Sequence, residues 1–178
     1  AHVAMNSLAV LLTAHAIGLD VAFAASTLAD YTAPEGRGAQ ARLPLADGDF
    51  LLIDEAYNAN PVSMRAALDV LAASSPGKGG RRIAVLGDML ELGPNETELH
   101  RELADFVVES GADIVYAAGS LMKHLFDALP AKRRGVWAPT ALAVHSEVVN
   151  SLRAGDVVMV KGSNGSKMGP LVAAIRKH

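Results

Sequence analysis

Short apolar runs that stop abruptly at polar clusters alternate along this chain with segments whose apolar residues fall at helical spacing. The clearest case is Leu51-Leu52-Ile53, which gives way to Asp54-Glu55-Ala56-Tyr57-Asn58-Ala59-Asn60-Pro61. A buried strand, its carboxyl end and the start of a helix are written there back to back. Asn60 suits the N-cap and Pro61 the first helical position, and Met64, Leu68 and Leu71 follow on one face. The same grammar predicts strands near 82–87, 113–117, 134–137 and 156–160. It predicts helices near 61–74, 95–110, 120–129, 139–151 and 167–177, with Gly111 as a C-cap glycine. Upstream, residues 1–19 and 20–30 read as two alanine-rich helices. The segment Pro34-Glu35-Gly36-Arg37-Gly38 breaks that pattern. A hairpin follows, with strands Gln40 to Pro44 and Phe50 to Asp54 joined by an Asp47-Gly48 turn.

Strands alternating with helices over short connections predict an α/β fold with a mainly parallel sheet covered on both faces. Hydrophobic residues make up 51% of the chain and aromatic ones only 4%, which favours that architecture over a β-sandwich. A net charge of -3 gives no general attraction to nucleic acid or anionic lipid. The absence of cysteine excludes disulfides, thiolate metal sites and cysteine nucleophiles. The six histidines lack metal-ligand spacing, so no metal site is expected. The apolar stretch from Val3 to Leu19 holds Asn6, Ser7 and Thr13 and lacks the basic start of a signal peptide. A cytoplasmic protein without membrane insertion is the expectation.

In open α/β sheets, ligands bind outside the carboxyl ends of the strands, so chemistry is expected near residues 54–60. Glu55 offers two acceptor oxygens to a vicinal diol such as that of ribose. Asp54, one step earlier, should face the other way and anchor a neighbouring loop. Tyr57 and Asn58 supply neutral donors and acceptors, while Asn60 caps its helix. Lys161 closes the run Val157-Val158-Met159-Val160, and Gly162-Ser163-Asn164-Gly165-Ser166 after it suggests an amide-rich nest for a carboxylate. Asp88 and Glu91 end another strand and are read as fixing a loop. Gly77-Lys78-Gly79-Gly80 reads as a solvated connection.

Asp54-Glu55-Ala56-Tyr57-Asn58-Ala59-Asn60-Pro61-Val62-Ser63-Met64-Arg65 resembles a signature of the Mur ligases, specifically those that add D-alanyl-D-alanine to the peptidoglycan precursor. Arg82 to Gly93 with His100, and Val160-Lys161-Gly162-Ser163, resemble later segments of that family, in its order. His2 and Asn6 ahead of an alanine-rich helix resemble the end of its central, ATP-binding domain. The resemblance implies a Rossmann-like carboxyl-terminal domain over 32–178, preceded at 1–31 by terminal helices of the central domain. The family's phosphate loop, ending in Gly-Lys-Thr or Gly-Lys-Ser, is missing, so the chain is expected to be the carboxyl-terminal portion of a longer ligase and inactive alone.

The implied reaction uses ATP and Mg2+, with metal ligands upstream. ATP phosphorylates the terminal carboxylate of UDP-MurNAc-tripeptide, and the amine of D-Ala-D-Ala attacks the acyl phosphate, in a monomeric enzyme. By resemblance Arg37, in its Gly-Arg-Gly context, meets the γ-phosphate, Glu55 the ribose and Asn6 the adenine. Tyr57 and Asn58 face the cleft where amine and acyl phosphate meet, and Lys161 and Ser163 anchor the dipeptide's carboxylate. Arg37 and Lys161 are the catalytic candidates. The chain departs from the family pattern with Glu at 55, where Asp is frequent, with Gly169 after Met168 instead of Glu, and with Val3 in place of an asparagine. The rival reading, a stand-alone nucleotide-binding module, needs a G-x-G-x-x-G turn between strand and helix, and Gly36-Arg37-Gly38 follows no predicted strand.

Overall fold

A computed structural model describes residues 2–177, with side chains from Met5 onward, and divides into two compact units at Ala33/Pro34. That division falls two residues from the expected boundary at 31/32. In the amino-terminal unit, α1 (His2–Ala16) and α2 (Val21–Thr27) are separated by a turn. Asp20 caps α2 by accepting from the Ala22 and Phe23 amides. Both helices are shorter than the predicted segments, and a 3-10 turn, Leu28–Asp30, finishes the second.

The carboxyl-terminal unit is built on six strands: β1 (Ala39–Leu45), β2 (Gly48–Glu55), β3 (Arg82–Gly87), β4 (Ile114–Ala118), β5 (Arg134–Ala138) and β6 (Val157–Lys161). Their order across the sheet is β1-β2-β6-β3-β4-β5, and only β1 runs antiparallel to its neighbour. The β1–β2 register pairs Leu45 with Gly48, so the hairpin turn is Ala46-Asp47, one residue earlier than expected. Edge strand β1 alternates partly buried and exposed residues and tolerates Pro44. Central strands β3 and β6 are buried almost throughout, which is why they read as unbroken apolar runs.

Helices α3 (Pro61–Ala73), α4 (Glu96–Glu109) and α5 (Met122–Ala128) cover one face, where Met64, Leu68, Leu103, Val107 and Leu125 pack against Ile53 and Met159. Helices α6 (Ala141–Ser151) and α7 (Met168–Ile175) cover the other, with Val144, Val148, Leu171 and Ile175 against Leu52 and Val158. Alternation along β2 and β6 sends Glu55 and Lys161 to the first face and Asp54 to the second. The helix after β2 lies on one face and the helix after β6 on the other. Their carboxyl ends therefore frame the crevice in which α/β folds place ligands.

At the opposite edge, the loop at 77–80 is the largely exposed connection expected, tied down where Gly77 donates to the Gly155 carbonyl at 2.8 Å. Asp156, 1% exposed, accepts from the amides of Arg81 and Arg153 and from the Arg81 guanidinium at 2.7 Å.

His100, fully buried on α4, receives the Met89 amide on Nε2 at 2.9 Å, so its proton sits on Nδ1 and is donated to the Glu96 carbonyl at 2.6 Å. Burial lowers its pKa below the usual histidine value, partly offset by that bond to Glu96. In the unfolded chain His100 takes up a proton near pH ~6.5, whereas the folded chain resists it until lower pH. Stability from this group is thus complete above ~6.5 and is lost as pH falls towards the folded value. His100→Leu is expected to lower Tm at pH 7.5 by stranding the Met89 amide and Glu96 carbonyl. It is also expected to flatten the wild-type fall in Tm between pH 7.5 and 5.5, and thermal scans at both pH values check this. An unchanged slope would contradict a neutral buried imidazole.

Candidate functional site

Because β1 is antiparallel, its amino end lies beside the carboxyl end of β2, and this brings the 34–38 segment to the ligand edge. Gly38 donates to the Asp54 carbonyl at 2.8 Å, the Tyr57 amide donates to the Gly36 carbonyl at 3.1 Å, and the Arg37 amide donates to Pro34 at 3.0 Å. Gly36 has φ +74, and a Cβ there would sit 2.9 Å from the Tyr57 Cβ and amide nitrogen, so only glycine allows this approach. The exposed Arg37 side chain stacks on Tyr57, its guanidinium carbon 4.0 Å from the ring centroid. Arg37 is held on both backbone and side chain.

Glu55 and Lys161 are register partners on adjacent parallel strands. Lys161 is 2% exposed; Nζ donates to the Asn58 carbonyl at 2.8 Å and lies 4.0 Å from Glu55 Oε2. Burial pushes its pKa below the usual lysine value, opposed by the Glu55 charge. The ammonium lies beneath the 56–60 loop and holds it through the Asn58 carbonyl. Asp54 turns to the other face as expected: it accepts from the Ala56 amide at 3.2 Å and pairs with Arg176 at 3.7 Å. Asn60 and Ser63 form a reciprocal capping box at the start of α3, and the exposed Asn58 receives the Ala59 amide on Oδ1.

Ser163 is buried, and its hydroxyl is committed. It donates to the Ala59 carbonyl at 3.2 Å and accepts the Leu90 amide at 2.9 Å, tying together the loops after β2, β3 and β6. Residues Asn164–Ser166 form a 3-10 turn. Within it the Ser163, Ser166 and Lys167 amides donate to the Asp88, Ser163 and Asn164 carbonyls. Asp88 fixes a loop by accepting the Met122 amide at 2.7 Å. Among the described residues no group of acidic or histidine side chains is arranged to hold a metal ion.

Asn6 is an exposed residue inside α1 of the amino-terminal unit, not ahead of the helix; the side chains of His2 and Val3 lie outside the described residues. Sequence reasoning passed over residues that line two clefts at the ligand edge. One, of ≈ 280 Å³, brings Glu35 and Arg176 beside Tyr57. The other, of ≈ 590 Å³, lies among Gly119, Thr140, His145 and Lys167. Their common signal was position after a strand or at a helix end, which is too general to single them out.

Residues 42–164 match the family model described as Mur ligase, glutamate ligase domain. The UDP-N-acetylmuramoyl-tripeptide--D-alanyl-D-alanine ligase of Rickettsia prowazekii is 30% identical over 171 residues, covering 96% of this chain and 36% of that protein. The enzyme of the same name from Escherichia coli is 29% identical, covering 99% and 37%. The crystal structure of MurF from Acinetobacter baumannii superposes with a TM-score of 0.82 at 25% identity, covering 99% of this chain and 38% of that one. MurF from Thermotoga maritima, solved in complex with ADP, has the same fold at a TM-score of 0.72 and 24% identity. The chain thus spans a little over a third of the length of the relatives it matches.

Proposed function

This chain belongs to the Mur ligase family, and we propose that it serves as the carboxyl-terminal portion of a monomeric, cytoplasmic, ATP-dependent ligase that joins D-alanyl-D-alanine to UDP-MurNAc-tripeptide. The observation that carries the proposal is the convergence of Arg37, Glu55, Tyr57 and Asn58 on one sheet edge, within a chain whose relatives bear that enzyme's name along nearly its whole length. The exposed guanidinium and the neighbouring carboxylate suit a phosphate and a ribose diol respectively. Among the described residues no group of three acidic or histidine side chains could hold a metal ion by itself, and the Mg2+ ligands are assigned to another part of the enzyme. The amino-terminal unit exposes Leu8, Leu12 and Phe23, which supports assigning it to a larger domain that would cover them.

ATP supplies the activation of the tripeptide's carboxylate. Around that chemistry, Arg37 meets negative charge at the transferring phosphoryl group, and Glu55 accepts hydrogen bonds from the ribose. The 56–60 loop, held from below by Lys161 and Ser163, presents Asn58 to the amine substrate and carries Tyr57 beside Arg37. Lys161 thereby supports the loop.

A conditional bacterial strain depleted of its own D-Ala-D-Ala ligase tests the proposal. Expression of the full-length gene containing this segment is expected to drain the accumulated UDP-MurNAc-tripeptide and restore the pentapeptide precursor, both read by mass spectrometry. Expression of the 178-residue chain alone is expected to restore neither. An unchanged tripeptide pool with the full-length gene would refute the function.

A further inference from the structure

From the stacking of Arg37 on Tyr57 we infer that Tyr57 is a positioning residue for Arg37, acting through the face of its ring and not through its hydroxyl on the amine substrate. The inference rests on the proposed role of Arg37 at the nucleotide. The Arg37 backbone is fixed on either side, by the Gly36 carbonyl taking the Tyr57 amide and by the Gly38 amide bonding Asp54. That leaves the long side chain as the remaining source of freedom, and the ring removes much of it, with the guanidinium 4.0 Å from its centroid. The arrangement is reciprocal, because Gly36 packs against the Cβ and backbone of Tyr57 and so sets the ring as well as receiving it. Gly38 abuts Glu55, a Cβ there lying 3.3 Å from Oε1, so the stacked guanidinium shares an edge with the carboxylate proposed to take the ribose. A ring at 50% exposure is accessible enough for the stack to form before any ligand arrives. Preorganisation of this kind raises turnover, because the ordering of the arginine has already occurred when charge develops.

The test is steady-state kinetics of the full-length ligase carrying Tyr57→Leu, Tyr57→Phe, Arg37→Ala and the Tyr57→Leu/Arg37→Ala pair, together with the Arg37 Nε–Hε resonance of the 178-residue chain. Tyr57→Leu is expected to lower kcat roughly three- to fivefold, the size of an exposed cation–π contact, with the D-Ala-D-Ala KM unchanged. Tyr57→Phe keeps the ring and is expected to keep turnover. The double variant should match Arg37→Ala, since the ring has nothing left to position. The Arg37 resonance should lose its ring-current shift in the Leu variant and retain it in the Phe variant. Loss in Tyr57→Phe with a raised dipeptide KM would overturn the proposal in favour of a hydroxyl contact, and so would additive effects in the double variant. A silent Tyr57→Leu beside a damaged Arg37→Ala would remove the positioning role alone. A silent Arg37→Ala would remove the role of Arg37 and the positioning role with it.

Discussion

Asp156→Ala is expected to destabilise the carboxyl-terminal unit by about 3–5 kcal/mol, the range found when one partner of a buried ion pair is removed. Asp156 is 1% exposed and is the shared acceptor for the Arg81 guanidinium and for the Arg81 and Arg153 amides. Alanine would leave two amides without their acceptor. It would also leave a guanidinium, itself only 17% exposed, with the Ser151 carbonyl as its remaining partner. The contacts join the chain entering β3 to the chain entering β6, adjacent strands at the centre of the sheet. For a unit of this size the shift in Tm should be roughly 10 °C. Asp156→Asn should cost less, because its carbonyl oxygen still accepts. The pair Arg81→Leu/Asp156→Leu should cost less than Asp156→Ala, because no charge is stranded. Thermal unfolding of the three variants checks the order; equal losses would show that the pair contributes little beyond its packing.

This pair also shows where sequence reasoning stopped. Asp156 reads only as part of a strand start, and Arg81 is not singled out, because nothing local to either residue announces a partner 75 positions away. The elements themselves were legible for the opposite reason. Asn60, Pro61 and the spacing of Met64, Leu68 and Leu71 are local signals, and β3 and β6 announce themselves by being buried on both faces. The hairpin turn slipped by one residue because Asp47-Gly48 resembles a favoured two-residue turn, while Gly48 is already paired with Leu45. At the site, the strand-end rule located Glu55, Tyr57 and Lys161. It could not tell that Lys161 lies beneath the loop, bonded to Asn58, because burial at a strand end depends on how the next loop folds back. The contact between Arg37 and Tyr57 was hidden for a related reason. The predicted hairpin returns residue 37 to the end of β2, but the stacking of the two side chains depends on how the segments before β1 and after β2 fold over that edge, which has no local sequence signature.

If this edge meets the reaction, Arg37→Ala in the full-length protein should damage turnover itself. An arginine that only bound nucleotide in the ground state would change the ATP KM. One that meets charge developing on the transferring phosphoryl group changes kcat. A preorganised donor in that position is worth on the order of 10²–10³ in turnover, far more than the stacking contact that holds it. Steady-state rates of amide formation from UDP-MurNAc-tripeptide and D-Ala-D-Ala, at varied ATP, should show kcat reduced at least about a hundredfold with the ATP KM altered only severalfold. A normal kcat, with or without a raised ATP KM, would contradict the claim and return Arg37 to a surface residue stacked on a tyrosine.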